Sequence, residues 1–228
     1  MENFDYIKKN LTLIKEEITA LSNKSGIPEA TLVCVTKSAS DDELLALASF
    51  GALDMGENRP QEVKRRAMLL RGTGYETRMH EIGTLQRNKV KLISDAAFMI
   101  HSVDSLKLAC DIGRHAEALS KKMPVLIEIN SAREEQKGGI LPEAAEDFLS
   151  EISSIRGISV RGLMTMGPVT HDAEEIRPYF RLTRDLFDRL YSRFEGEPIL
   201  SMGMSDSYKV AIEEGSTLVR IGRRLFYK

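Results

Sequence analysis

The stretch MPVLIEIN at residues 123–130 gives the clearest strand pattern in this chain of 228 residues. Its apolar run is short and rich in branched side chains, as in a buried strand. A helical pattern starts near Pro142, and the next apolar run is ISVRGLMTM at residues 158–166. A strand, a helix and a second strand in this order predict two parallel strands joined by a right-handed crossover.

The same alternation continues in both directions from this unit. The eight predicted strands lie in the segments TLVCVT, GALDMGEN, TRMHEIG, AAFMIHSV, MPVLIEIN, ISVRGLMTM, PILSMGM and STLVRIG. Eight strand–helix units predict an α/β fold of the closed (β/α)8 TIM-barrel type, with residues 1–228 as a single domain. A doubly wound open sheet is the alternative, but the chain lacks the glycine-rich fingerprint of the nucleotide-binding members of that class.

The N-terminal segment predicts an extra helix. Its apolar residues recur at helical spacing and are Phe4, Ile7, Leu11, Ile14, Ile18 and Leu21. Charged residues lie between them, which favours an amphipathic helix over a signal peptide or a membrane span. Few residues follow Gly222, too few for a helix after the eighth strand. We therefore expect the N-terminal helix to fill the outer position between strands 8 and 1.

The bulk composition excludes several classes of function. Hydrophobic residues make up 42% and charged residues 29% of the chain, as in an ordinary globular protein. The net charge of -2 gives no basic footprint for nucleic acid and no attraction to a membrane surface. Cys34 and Cys110 suggest neither a disulfide framework nor a metal site, so a cytoplasmic location is expected. The histidines have no ligand spacing and predict no metal site; they are His80, His101, His115 and His171.

A lysine follows the first strand. Alternation along TLVCVTK, residues 31–37, puts Lys37 on the same side as Val33 and Val35. One interpretation is a strand-end lysine that extends its ammonium group to water. The other is a lysine that forms an imine, or Schiff base, with a carbonyl compound. Barrel active sites lie at the C-terminal ends of the strands, so the residues at those ends decide between the two.

The ends of the other predicted strands carry further polar and flexible residues. They are Asn58 after the second strand, His80 in the third, Met164 in the sixth, Ser201 and Ser205 around the seventh, and Arg220 and Gly222 at the eighth. Barrels often bind a phosphate group beyond strands 7 and 8, where Ser205 and Gly222 are expected. A lysine, a phosphate site and a barrel together suggest pyridoxal 5′-phosphate (PLP) as the cofactor. The alternatives are a helix-capping role for Ser205 and an ordinary loop role for Gly222.

Arg220 is a candidate partner for the ring nitrogen of PLP. Alternation places it on the same face as Leu218 and Gly222. A guanidinium group donates hydrogen bonds but cannot accept a proton, so it would face an unprotonated ring nitrogen. Such a ring withdraws electrons weakly, which argues against efficient carbanion chemistry. The alternative is an ion pair between Arg220 and a carboxylate of the barrel.

Motifs along nearly the whole chain carry a family resemblance. They are VTK with Lys37, GEN with Asn58, HEIGTLQRNK at residues 80–89, IEIN followed by KGGI, RGLMTM, LSMGMSD and GSTLVRIG. Together they resemble the pyridoxal-phosphate homeostasis proteins, the YggS/PROSC family. The resemblance implies a PLP-binding barrel like the N-terminal domain of alanine racemase.

The resemblance also implies roles for individual residues. Lys37 would carry the imine, Arg220 would face the ring nitrogen and Asn58 would line the pocket. Ser205, Gly222 and the residue after it would hold the phosphate. Family members usually carry a small hydroxyl residue at that last position, where this chain has Arg223. An arginine can bind phosphate through its own side chain, so Arg223 remains a candidate contact.

Three functions are open at this stage, and the sequence favours the first. It is a PLP-binding protein of vitamin B6 homeostasis with little or no turnover, whose partners are PLP and PLP-dependent apo-enzymes as candidate acceptors. It is expected as a monomer or weak homodimer without nucleic-acid or membrane partners. A PLP-dependent amino-acid racemase is the main alternative, but it needs a second base, and the chain has no segment left over to supply one. An aldolase-type imine enzyme is the third, and the motifs disfavour it.

Overall fold

The computed structural model describes residues 4–168, 170 and 172–227, and these form a closed barrel of parallel strands. The strands are β1 (Thr31–Val35), β2 (Asp54–Glu57), β3 (Arg78–Glu81), β4 (Met99–Val103), β5 (Met123–Glu128), β6 (Ile158–Met164), β7 (Ile199–Ser201) and β8 (Leu218–Ile221). Each strand pairs with the next one in the chain, and β8 pairs with β1. The predicted barrel is confirmed, and the open sheet is excluded.

Helices follow the strands on the outside of the barrel. They are α1 (Asp5–Ser25), α2 (Asp41–Ser49), α3 (Pro60–Arg71), α4 (Val90–Ile93), α5 (Leu106–Glu117), α6 (Ala145–Ser153), α7 (Arg177–Leu190) and α8 (Tyr208–Glu213). The sequence signals for two helix starts, Ser40 as an N-cap and Pro60 in a first turn, are present in the structure. Ser40 and Glu43 form a reciprocal capping box at α2, and Pro60 opens α3. Among the described residues, no helix is both long and apolar enough to cross a membrane.

The N-terminal helix fills an outer position of the barrel. Ile7, Leu11, Ile14 and Ile18 of α1 are buried at helical spacing. They face the body of the protein, where α1 packs against α8 and α2. This arrangement confirms the structural role predicted for the segment.

The sequence pattern predicts a long helix from about Ala173 to Phe194 and another that starts near Asp206, and the structure differs at both. The helix expected from Ala173 to Phe194 has its α-helical part at Arg177–Leu190, with 3-10 turns at Ala173–Ile176 and Tyr191–Arg193. The helix expected near Asp206 begins at Tyr208, because the Met204 carbonyl accepts from the N–H groups of both Ser207 and Tyr208. Ser205 therefore lies in a turn before α8 and does not cap it.

Alternation along the strands divides the core into two parts. One side of each strand faces the helices, where Cys34 and Met55 lie in the main hydrophobic core. The other side faces the barrel interior, where Met99, Leu126 and Met164 pack together. Both cysteines are free thiols, with Cys34 buried and Cys110 exposed.

Candidate functional site

A cavity of about 830 Å³ opens at the C-terminal end of the barrel. Six of the predicted site residues line it: Lys37, Asn58, Ser205, Arg220, Gly222 and Arg223. A second cavity of about 530 Å³ lies near the opposite ends of β5 and β6. We assign the candidate site to the first cavity, because it is larger and because it lies where barrels carry their chemistry.

Lys37 lies just beyond β1 and faces the cavity. Val35, two residues earlier on the same face, lines the same cavity, as alternation predicts. The side chain of Lys37 is exposed, and among the described residues it has no hydrogen-bond or ion-pair partner. Its amine is thus available to a ligand.

A buried arginine holds the turn that carries Lys37. The guanidinium of Arg66, on α3, donates to the carbonyl oxygens of Thr36 and Ala39, each at 2.8 Å. The Thr36 hydroxyl donates to Oε1 of Glu57 at 2.6 Å, and Arg66 pairs with the same oxygen at 3.2 Å. Because all these contacts are buried, they fix the backbone on both sides of Lys37.

Sequence reasoning missed this arginine. Arg66 shares the buried face of α3 with Val63, Ala67 and Leu70. A charged residue on an otherwise apolar helix face is a signal for a buried partner, and it was present in the sequence.

Two carboxylates lie side by side behind the cavity wall. Glu57 and Glu81 occupy matching positions on β2 and β3, and each keeps one buried carboxylate oxygen without a hydrogen-bond partner. Burial raises the pKa of both, and that of Glu81 reaches about 8. The other Glu81 oxygen accepts from the N–H of Gly83 at 2.9 Å. This bond holds Gly83, whose added Cβ would overlap the Asn58 backbone, in the cavity wall.

Arg220 faces the same cavity from β8. Its guanidinium donates to the Ser201 hydroxyl and, at 3.2 Å, to the Thr165 carbonyl. Complete burial lowers its pKa to about 10, which still leaves the side chain charged at neutral pH. The expected cation is therefore in place, and its contacts are to neutral acceptors.

A chain of hydrogen bonds continues from Ser201 across the barrel interior. His101 Nδ1 lies 3.4 Å from the Ser201 hydroxyl, and His101 Nε2 lies 2.9 Å from His80 Nδ1. His80 Nε2 lies 2.9 Å from Oδ1 of Asp54. Burial, His80 and Arg220 hold the pKa of His101 well below its usual value, so His101 is neutral. A tautomer of each ring with its proton on Nε2 would give every group in this row a partner, with each donor pointing from Arg220 toward Asp54.

Three predicted residues do not line the cavity among the described residues. His80 and Ser201 belong to the hydrogen-bonded chain beneath Arg220 and support that side chain from below. Met164 packs in the barrel interior with Met99 and Leu126. All three were predicted from their place in or near the ends of strands, and in the structure they lie deeper in the barrel than the cavity wall. Of the four histidines, His171 lies outside the described residues.

The phosphate end of the predicted site is a narrow cleft between two turns. The N–H of Gly222 points to the Ser205 hydroxyl at 3.3 Å. An added Cβ at Gly222 would lie 3.0 Å from the Val35 carbonyl oxygen, so a side chain there would crowd the wall. Arg223 and Asp206 form an exposed ion pair at the rim of the cavity.

These groups fit PLP, which requires an amine for covalent attachment, a partner for the ring nitrogen and a site for the phosphate. Lys37 offers a free amine. Arg220 offers a cation held in place by neutral acceptors. Ser205 and Gly222 offer a hydroxyl and a backbone N–H at a place where a side chain on residue 222 would crowd the wall.

Comparison with known proteins gives consistent results. The sequence profile of the alanine racemase N-terminal domain matches residues 9–227. A protein of Aquifex aeolicus named pyridoxal phosphate homeostasis protein is 37% identical over 221 residues, or 96% of each chain. A protein of the same name from Helicobacter pylori is 37% identical over 224 residues, covering 97% of this chain and 98% of its own. The structure of PipY from Synechococcus elongatus with PLP bound is 27% identical, with a TM-score of 0.82, and the match covers 97% of this chain and 100% of PipY.

Proposed function

We propose a function for this chain from the premise that it belongs to the pyridoxal phosphate homeostasis proteins, within the family of the alanine racemase N-terminal domain. It holds PLP covalently on Lys37 and takes part in PLP homeostasis, with little or no catalytic turnover. The observation that carries the proposal is the convergence of Lys37, Arg220 and the Ser205–Gly222 cleft on one cavity. The relatives that bear the family name are described by homeostasis and not by a reaction.

The residues of the cavity have separable roles. Lys37 supplies the amine that holds the cofactor, and the bonds from Arg66 fix its backbone. Arg220 would face the ring nitrogen, and the hydrogen bonds through Ser201 and His101 keep its guanidinium oriented. PLP, when bound, supplies a conjugated ring that can accept electrons from a reacting amine. A guanidinium partner leaves that ring unprotonated, so the electron sink is weak.

The racemase alternative requires a second acid–base group on the opposite face of the cofactor. Within the part of the chain that the structure describes, no tyrosine or histidine lines the cavity. We also propose that PLP-dependent apo-enzymes receive the cofactor and that the protein is a monomer or a weak homodimer. A cytoplasmic location remains a prediction from the cysteines.

The test separates a carrier from an enzyme. The PLP-loaded protein is incubated with L-alanine in deuterated water, and α-deuteration and formation of the D-isomer are compared with those given by free PLP. We expect the absorption spectrum of the cofactor to change as the amino acid exchanges with Lys37, but turnover to stay close to that of free PLP. Racemisation on the order of one turnover per second would support the enzyme instead.

A prediction concerns Arg223, which replaces the usual small hydroxyl residue. If its guanidinium leaves Asp206 and joins the phosphate site, Arg223→Ala is expected to weaken PLP binding about tenfold, the effect of one charge-assisted contact. Binding of pyridoxal, which has no phosphate, should not change. The affinities are measured by absorption titration, and Arg224→Ala serves as the control. Equal losses for PLP and pyridoxal would show that Arg223 does not contact the phosphate.

A further inference from the structure

Glu128 is a buried carboxylate that the proposed PLP site does not use. It ends β5, lines the same cavity as Lys37 and Arg220, and is only 5% exposed. Among the described residues, its side chain has no hydrogen-bond or ion-pair partner. Burial of most of this side chain disfavours the charged form of its carboxylate, which still faces the cavity.

The cations around Glu128 are engaged elsewhere. Arg220 attracts Glu128 through space, but its guanidinium donates to Ser201 and Thr165. Lys137 also lines the cavity, and its ammonium contacts Glu134 at 2.6 Å and the Gly167 carbonyl at 3.0 Å. The negative charge of Glu128 is therefore available to a ligand.

A second carboxylate lies close to Glu128. Asp104 follows β4, is half-buried and likewise has no hydrogen-bond or ion-pair partner among the described residues. A Cβ added to Gly138 would lie 3.0 Å from Oδ2 of Asp104 and 4.0 Å from Oε2 of Glu128. Both oxygens thus lie close to Gly138, whose missing side chain leaves room beside the two carboxylates.

This geometry suits a primary ammonium group. An ammonium carries three donors and can bridge two carboxylates at ordinary charge-assisted distances. A divalent metal ion is a poorer match, because Ca²⁺ takes six to eight oxygen ligands. No group of three or more metal-type side chains occurs among the described residues.

We propose that Asp104 and Glu128 bind the primary ammonium of the amine that receives the cofactor from Lys37. The amine is a free amino acid or the lysine side chain of an acceptor protein, which share this group. The inference rests on the proposed function, since an incoming amine has a role at this place only if Lys37 carries PLP. It gives the incoming amine a defined place before any exchange.

The site should respond to pH. Burial, and then repulsion by Asp104, raise the pKa of Glu128 to about 7, while Arg220 opposes the shift. Below this pH the carboxyl is neutral and attracts a cation weakly; above it the group is charged. Affinity for an ammonium ion should therefore rise between about pH 6 and pH 8 and level off above that range.

The first experiment uses the full chain freed of PLP, with n-butylammonium chloride as the probe and n-butanol as the uncharged control. We expect saturable binding of the ammonium, followed by NMR shifts, and none of the alcohol. Glu128→Gln and Asp104→Asn should each weaken binding at least tenfold at pH 8. Glu135→Gln, which removes an exposed charge from the following loop, should leave it unchanged. Equal binding by wild type and Glu128→Gln would overturn the proposal.

A second experiment identifies the source of the amine and separates the two proposals. Release of PLP from the loaded protein is measured with L-alanine and with Nα-acetyl-L-lysine amide. Acceleration by either one that is lost in Glu128→Gln supports the site, and the more effective amine identifies the source. If Glu128→Gln does not change the release of PLP with either amine, the proposed ammonium site is overturned. If PLP does not bind wild type while the ammonium probe still does, the proposed function fails and the cation site stands.

Discussion

Lys37→Ala is expected to abolish covalent attachment of PLP while leaving the barrel folded. Lys37 is exposed and lies beyond the last residue of β1. Its loss therefore costs little stability, within about 0.5 kcal/mol as for most surface substitutions. Mass spectrometry after borohydride treatment measures attachment, and thermal unfolding without the cofactor measures the fold.

Lys137→Ala is the matched control, because Lys137 is a second lysine on the cavity wall. Its ammonium is held by Glu134 and the Gly167 carbonyl, so it should not carry the cofactor. We expect the borohydride adduct to remain on Lys37 in this variant. An adduct found only on Lys137 in the wild-type protein would refute the assignment.

The barrel itself could be predicted because each strand–helix unit is local. Strands alternate with helices at regular intervals, and period-2 alternation assigns the face of each side chain. Lys37 was found in this way, since Val33 and Val35 define the inner face of β1. The same rule places Glu128 on the opposite side of β5 from Val125 and Ile127. Glu128 was nevertheless not among the predicted site residues.

The depth at which an inward-facing residue lies in the barrel is harder to predict than the side of the strand that carries it. Alternation does not tell whether an inward residue reaches the cavity or lies below it. His80, Ser201 and Met164 were expected at the cavity, but they lie deeper in the barrel. The register also shifts between β5 and β6, and Gly162 approaches Ile199 too closely for a side chain. Such irregularities depend on the neighbouring strand and leave little trace in a single sequence.

Contacts between residues that lie far apart in the sequence were also not predicted. His101 on β4 and Ser201 on β7 meet only because the barrel closes, and Asp54 and His80 meet across the paired strands β2 and β3. In the sequence the histidines are scattered, and nothing in their spacing indicates that His80 and His101 form a hydrogen bond. The sequence could not show that the row of hydrogen bonds that begins at Asp54 reaches Arg220.

Arg66→Leu is expected to destabilise the protein by about 3 kcal/mol, as when one partner of a buried ion pair is removed. The variant leaves the Thr36 and Ala39 carbonyls without donors and the buried Glu57 without its cation. Urea unfolding measures the free energy of unfolding. Arg65→Leu, one residue earlier on the same helix, removes an exposed arginine paired with Asp41 and should cost at most about 1 kcal/mol.

The same variant tests whether Arg66 positions Lys37 or only stabilises the fold. Arg66→Leu combined with Glu57→Gln removes the unpaired buried charge, so it should recover part of the lost stability. The double variant does not restore the donors to the Thr36 and Ala39 carbonyls. Amide hydrogen exchange around Lys37 should therefore be faster than in the wild-type protein, and capture of PLP should be slower. Recovery of both stability and capture rate in the double variant would mean that Arg66 acts on the fold alone. Recovery of stability without capture would mean that the two carbonyl contacts hold the amine of Lys37 where PLP must meet it.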